Sequence, residues 1–325
     1  MILLFRNHDS NQAFKSQLKK SMVTICYMTN REDPHIEWFL ESLHHQGFKE
    51  KIPDSQLVVV DFHCLSRPKE FKDLLARFNA IHVPPKPCVW QGPHRLTKNN
   101  WFAASNARNT ALCLAPDGHI VYCDDLSVLM PGWVDVVAEA SKTGLITLGA
   151  YRKVFELTVE PVTGVVTHYK DSPSGHDNRH ATSVPMSCAG QWLYGCSLCA
   201  PVGTLLAVNG WPEALCDGMG FEDCIMGIML GNIGVHFQYH RGMMTWESEE
   251  GHVSNTRFER KDFGRSPQDK SHAVLNQALR SKYHPNYFGD EGIAGLRNRV
   301  LAGEPFPVME IPEHEWYTGT ALKYL

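Results

Sequence analysis

Between Met22 and Ala138, short apolar runs alternate with amphipathic stretches. Met22–Met28 (MVTICYM) is β-branched and apolar, bounded by Lys19-Lys20 and by Thr29-Asn30-Arg31, which predicts a buried strand. Asp33-Pro34 then predicts a helix start, with Asp as N-cap and Pro at the first helical position. Ile36, Phe39, Leu40 and Leu43 give that helix one apolar stripe. Leu57–Phe62 is a second strand, with Asp61 near its end. Phe71, Leu74, Leu75 and Phe78 mark the next helix, and Ile81-His82-Val83 is a short strand stopped by Pro84-Pro85. Asn100–Leu114 reads as an alanine-rich helix. His119–Cys123 is another buried strand, ending at Asp124-Asp125, and Pro131-Gly132 opens a helix through Val134, Val137 and Ala138. Continuous apolar strands alternating with such helices predict a parallel sheet covered on both faces. Ligands of such sheets bind at the carboxyl ends of the strands. The polar residues placed there are Thr29, Asn30, Arg31, Asp61, Asp124 and Asp125.

After residue 144 the pattern changes. Leu145–Tyr151 and Phe155–Tyr169 predict strands around a Val162-Thr163-Gly164 turn. Asp171–Ser187 is polar and without period, which predicts a long functional loop, a candidate lid. Pro201–Val208 is a short helix followed by Asn209-Gly210-Trp211-Pro212-Glu213. Phe221–Leu230 is a helix with two acids at its start, Gly234–Tyr239 a last strand, and the chain from Glu247 reads as irregular. The expected organisation is a leader over 1–20, one domain over 21–254 with halves 21–144 and 145–254, and an extension over 255–325.

Composition narrows the function classes. The 325 residues carry 31 Lys and Arg against 35 Asp and Glu. That balance lacks the basic excess of a general nucleic-acid binder. No apolar run reaches the roughly 18 residues of a membrane span. The opening Met1–Phe5 patch, ended by Arg6, is too short for a signal-peptide core, so a cytoplasmic location is expected. The ten cysteines are scattered and fit buried reduced thiols; Cys196 and Cys199 have metal or redox spacing but no second pair.

Two acid pairs carry the candidate chemistry. Adjacent carboxylates at the end of a strand repel unless a cation or donors satisfy them. Asp124-Asp125 therefore suits Mg²⁺ or Mn²⁺, which bridge a diphosphate with only one or two protein carboxylates. The plain alternative is a polar loop that caps the next helix. Glu222-Asp223 follows Gly218-Met219-Gly220-Phe221. Acids at a helix start complement its dipole, so capping alone accounts for them. As chemistry, a carboxylate near an electrophile is a general base, and the glycines let a substrate approach the backbone.

Taken in order, Thr29-Asn30-Arg31, Asp61, Ala107-Arg108-Asn109, the strand before Asp124-Asp125, Pro131-Gly132-Trp133, Asn209–Glu213 and Gly220–Asp223 form a pattern. It resembles the GT-A fold of nucleotide-sugar glycosyltransferases, most like the inverting family 2 group, over about residues 22–252. Similar blocks occur in polypeptide N-acetylgalactosaminyltransferases and β-1,4-galactosyltransferases. The resemblance implies an α/β, Rossmann-like, mostly parallel sheet flanked by helices, with a smaller mixed acceptor-side region. It implies transfer of a sugar, hexosyltransferase-type, from a UDP-linked donor to a glycan, glycoconjugate or small-molecule hydroxyl. Thr29, Asn30 and Arg31 would line the nucleotide pocket, and Asp61 would hydrogen-bond the base. Arg108 and Asn109 would contact the nucleotide or brace the motif. Asp124 would face the ribose, with Asp125 and His252, or second His240, as ligands of Mn²⁺ or Mg²⁺. Asp223 would be the base, assisted by Glu222, and Trp211 would line the acceptor side.

One position departs from the pattern. Leu126 stands where the second acid of the family's Asp-x-Asp element belongs. Either Asp125 takes over by a one-residue shift, or basic side chains neutralise the leaving diphosphate. Arg31, Arg95, Lys98, Arg108 and the Arg257, Arg260 and Lys261 cluster are available for that. Nucleotidyl transfer, which wants a Gly-rich basic loop after the first strand, and a non-catalytic carbohydrate- or nucleotide-binding protein of the same fold are the alternatives.

Overall fold

The computed structural model describes residues 23–88, 103–181, 185–213, 222–250 and 291–307. The first half runs β1 (Val23–Thr29), α1 (Ile36–His45), α2 (Phe48–Lys51), β2 (Ser55–Asp61), α3 (Lys69–Arg77), β3 (Ile81–Val83), α4 (Ala104–Leu114), β4 (His119–Cys123), β5 (Ser127–Leu129) and α5 (Trp133–Ala140). The second runs β6 (Ile146–Val159), β7 (Val166–His176), β8 (Met186–Cys188), β9 (Ser197–Pro201), α6 (Val202–Ala207), α7 (Glu222–Asn232), β10 (Phe237–Ser248) and α8 (Gly292–Leu301).

The strands form one sheet in the order β3-β2-β1-β4-β9-β6-β10-β5, with β7 on β6 and β8 on β10. The β3-β2-β1-β4 portion is parallel, as the alternating pattern predicts. Beyond it the sheet is mixed: β9 runs antiparallel to both β4 and β6, while β6 and β10 are parallel. Both halves of the predicted domain thus share one hydrogen-bonded sheet.

Strand periodicity explains the two cores. Ile25 and Tyr27 face the layer containing Phe39, Leu40, Leu43, Trp133 and Val137 from α1 and α5. Cys26 and Met28 face the opposite layer, with Ala107, Ala111 and Leu112 of α4 and Ile293, Leu296 and Val300 of α8. Apolar cover on both faces is why β1 carries no alternation.

Several expectations need correction. Helix α1 starts at Ile36, not at an Asp33 cap; the preceding His35 is left-handed, with φ 48°. The polar stretch from Asp171 is not a loop throughout: β7 continues to His176 as an outer strand pairing β6, where no apolar partner imposes a period. Gly164, at φ 63°, closes that hairpin; a Cβ there would lie 2.2 Å from the Ser42 amide nitrogen, so the turn sits on α1. Strand β10 begins at Phe237 and runs on to Ser248, past the expected end at Tyr239. Helix α8 lies in the stretch read as an extension, yet it supplies core residues, and Arg297 donates from Nε to the Ala115 carbonyl at 2.8 Å. Among the described residues no helix is long and apolar enough to cross a membrane.

Candidate active site

The ends of β1, β2 and β4 bring the predicted polar residues together. Thr29 donates from Oγ1 to Asp125 Oδ2 at 2.9 Å, and Arg31 Nε lies 3.0 Å from the same oxygen. The Arg31 amide in turn donates to Thr29 Oγ1 at 3.1 Å. Burial pushes the Asp125 carboxyl up, against the opposing charge of Arg31. Leu126 follows in a left-handed conformation, φ 56°, with its side chain buried. That turn lifts Asp124 and Asp125 off the strand end and returns the chain as β5. A left-handed leucine carries strain, of the kind found where a site requires the chain path.

Arg108 of α4 connects this end of the sheet to α7. It is buried, and its Nη2 donates to Asp124 Oδ1 at 3.1 Å while Nη1 donates to Glu222 Oε1 at 2.8 Å. Its guanidinium carbon lies 4.6 Å from a ring centre of Trp211. Burial opposes the charge of Arg108, but Asp124 and Glu222 outweigh it and hold the guanidinium protonated. Asp223, beside Glu222, accepts from the amides of Cys224 at 2.7 Å and Gly195 at 3.3 Å. Burial, and after it the charge of Glu222, pushes the Asp223 carboxyl up to about 6, with Arg108 opposing.

Gly195 makes this contact possible. A Cβ there would lie 1.9 Å from Arg108 Nη2 and 3.4 Å from Asp124 Oδ2. Gly195→Ala is therefore expected to push Arg108 off its acids and cost about 1–3 kcal/mol of stability by overpacking. A denaturant titration with wild-type midpoint would contradict that packing.

Structural comparison places this geometry. No known family profile and no curated protein sequence matches the chain. Among solved structures, residues 1–349 of S. aureus TarS in complex with UDP superpose with TM-score 0.54 at 13% identity, over 86% of this chain and 69% of that one. The TarS complex with UDP-GlcNAc gives 0.54 at 13%, over 86% and 70%. GalNAc-T7, in a structure with UDP, GalNAc and Mn²⁺, gives 0.53 at 11%, over 91% and 64%. The chain has the GT-A fold.

Within the GT-A frame, some expected residues hold the scaffold. Asp61 is fully buried, and its carboxylate accepts from Arg67 Nε at 2.7 Å, Arg67 Nη2 at 3.0 Å, the His63 amide at 2.8 Å and His82 Nε2 at 2.9 Å. Burial would raise that carboxyl, but the bonds from His82 and Arg67 prevail and lower it. Four donors fill a carboxylate's usual capacity. Asp61 thereby anchors Arg67, which also donates to the carbonyls of Arg31 and Glu32 and so fixes the loop after β1.

Trp211 is interior: its ring is fully buried under Arg108 and edge-on to Tyr122 at 5.4 Å. Asn109 braces the same turn. Its Nδ2 donates to the Trp211 carbonyl and to Glu213 Oε1, and its Oδ1 accepts from the Trp211 amide. Asn30 sits at the end of β1, where its carbonyl lies 3.1 Å from His63 Nε2. His252 lies outside the described residues. His240 sits on β10, with Nδ1 accepting from the Gly242 amide at 3.1 Å.

Arg67, His82, Gly195 and Glu247 are the local residues that sequence reasoning missed. Arg67 and His82 meet Asp61 only through the crossover from β2 to β3. Glu247 is buried on β10, opposite Ser127 of β5. Burial pushes its carboxyl up to about 8; Lys153 opposes this, and the charges of Asp124 and Asp125 add to it.

The charges test whether a divalent cation suits the site. Asp124, Asp125, Glu222 and Asp223 face two guanidinium groups, those of Arg31 and Arg108. The carboxylate excess suits a hard cation. Among the described residues no group of three or more His, Cys, Asp or Glu is disposed to hold one alone. Mg²⁺ and Mn²⁺ do not need such a cage when a diphosphate completes the shell.

Proposed function

We propose that the protein is a glycosyltransferase that moves a sugar from a UDP-linked donor to an acceptor hydroxyl with inversion, Asp223 acting as general base. The observation that carries this reading is Asp223 itself. Its carboxyl, pushed up to about 6, stands beside Glu222, which Arg108 ties to Asp124 at the end of β4. A base titrating near the working pH combines an available carboxylate with useful basicity. The complexes of TarS with UDP and UDP-GlcNAc, and of GalNAc-T7 with UDP, give the fold's precedent for the donor.

In this reading the nucleotide lies over Thr29, Asn30 and Arg31, and Asp124, 33% exposed, turns its free edge to the ribose. Asp124 and Asp125 would hold Mg²⁺ or Mn²⁺ together with the diphosphate. Such an ion would supply charge stabilisation to the leaving diphosphate. Arg108 holds Asp124 and Glu222 in place, and Asn109 holds the turn beneath them. The acceptor oxygen forms its bond to the anomeric carbon as the bond from that carbon to the diphosphate oxygen breaks. Its proton passes to Asp223.

Calorimetric titration with UDP tests the donor site. Binding in the presence of Mn²⁺, weakened at least tenfold by EDTA, is the expected result. Equal binding in both conditions would move diphosphate recognition onto Arg31 and its neighbours. Absence of binding to UDP and to other nucleoside diphosphates would sink the transferase reading.

A further inference from the structure

A buried ion pair beside the site has no place in the mechanism above. Asp177 is fully buried, and Arg179 donates to it from Nε at 2.8 Å and from Nη2 at 2.7 Å. Arg179 also donates to the carbonyls of Trp192 and, at 3.1 Å, Gly149. Burying such a pair costs several kcal/mol of desolvation before its bonds repay it. What it secures is an aromatic ring. The Arg179 guanidinium carbon lies 4.1 Å from the ring centre of Tyr194, and Tyr151 meets the same ring edge-on at 5.9 Å.

Tyr194 is half-buried, and its position is pinned on both sides. The Trp192 carbonyl is held by Arg179, and the Gly195 amide donates to Asp223. Gly195 also lies against Arg108, so closely that a Cβ does not fit. The residue after Tyr194 therefore meets both the arginine that holds Asp124 and the carboxylate of Asp223 on α7. The Tyr194 ring stands next to that junction in the chain, backed by a cation.

We propose that Tyr194 is a sugar-ring platform of this site: a pyranose stacks on its exposed face and turns a hydroxyl or its anomeric centre toward Asp223. The inference rests on the glycosyltransferase reading and adds the residue that recognises the sugar. The aliphatic C–H face of a pyranose suits the electronegative face of an aromatic ring, while the phenol offers a polar tip. The ring comes from one of two sources, the donor's sugar or a carbohydrate acceptor.

The test uses the full chain, its Tyr194→Ala and Tyr194→Phe variants, and three kinds of probe. These are UDP, UDP-glucose with UDP-GlcNAc, and the methyl β-glycosides of glucose, galactose, N-acetylglucosamine and mannose. UDP affinity is expected to be equal in all three proteins. If the donor's sugar occupies the platform, Tyr194→Ala binds a UDP-sugar roughly tenfold more weakly. If the acceptor does, saturation transfer from the protein to the glycoside ring protons is lost in Tyr194→Ala. Tyr194→Phe keeps either signal. Wild-type binding of every probe by Tyr194→Ala overturns the proposal, as does a wild-type protein that binds UDP but none of the sugars. Failure of UDP with sugar saturation transfer still sensitive to Tyr194 would remove the nucleotide reading and leave the platform. Should Tyr194→Ala not fold, ring-current shifts of the glycoside or UDP-sugar protons on wild-type protein, retained in Tyr194→Phe, give the same answer.

Discussion

Asp223→Asn lowers sugar transfer by roughly a hundred- to ten-thousand-fold and leaves UDP affinity unchanged, if Asp223 takes the acceptor proton. The substitution keeps shape and removes basicity. Its two backbone donors use different oxygens, Cys224 the Oδ1 at 2.7 Å and Gly195 the Oδ2 at 3.3 Å, so the single amide oxygen keeps the shorter Cys224 bond and gives up the longer one. The pH dependence gives a second handle. Only the ionised carboxylate accepts a proton, so kcat/KM of the wild type rises with pH through about 6 and levels above it. The residual activity of Asp223→Asn lacks that rising limb. Normal turnover in the variant, or an unchanged limb, would assign the base elsewhere.

Arg108→Ala carries the largest expected loss of stability. It leaves Glu222 and Asp124 without their shared cation and removes the guanidinium from over Trp211. Removing one member of a buried ion pair costs about 3–5 kcal/mol. Asp124 is partly solvated, so the lower end of that range is expected here. The same change removes a positive charge that holds the Asp223 carboxyl down, so the activity limb moves to higher pH. Arg108→Lys restores a charge but not the two-armed reach, and it recovers stability only in part. Chemical denaturation and a pH–rate profile on the same three proteins check both claims. Wild-type stability in Arg108→Ala would mean that water satisfies the acids and the bridge is ornamental.

The legible parts of the chain were those with one dominant physical cause. Strands β1, β2 and β4 carry unbroken apolar runs because both sheet faces are covered, and the polar residues at their carboxyl ends fall where ligands bind such sheets. The acids at β4 and α7 stood out because paired carboxylates demand partners. What stayed hidden depends on neighbours distant in sequence. The end of β7, from Asp171 to His176, reads as a loop because its outer position imposes no alternation. The pairing of Asp61 with Arg67 and His82 cannot be read from Asp61, because both partners arrive through the crossover from β2 to β3. Trp211 looked like a wall of the site from its motif; only the placement of α4 over it shows the ring to be interior. Gly195 carried no signal at all, because its role is the side chain it lacks.

The position of β9 has a consequence for synthesis. During translation β4 is made well before the strand that covers its outer edge. Until residues 197–201 leave the ribosome, the β4 edge presents unpaired amides and carbonyls along an apolar strand. Exposed edges of this kind invite pairing with another chain. A nascent chain stalled between α5 and β9 is therefore the form most exposed to aggregation.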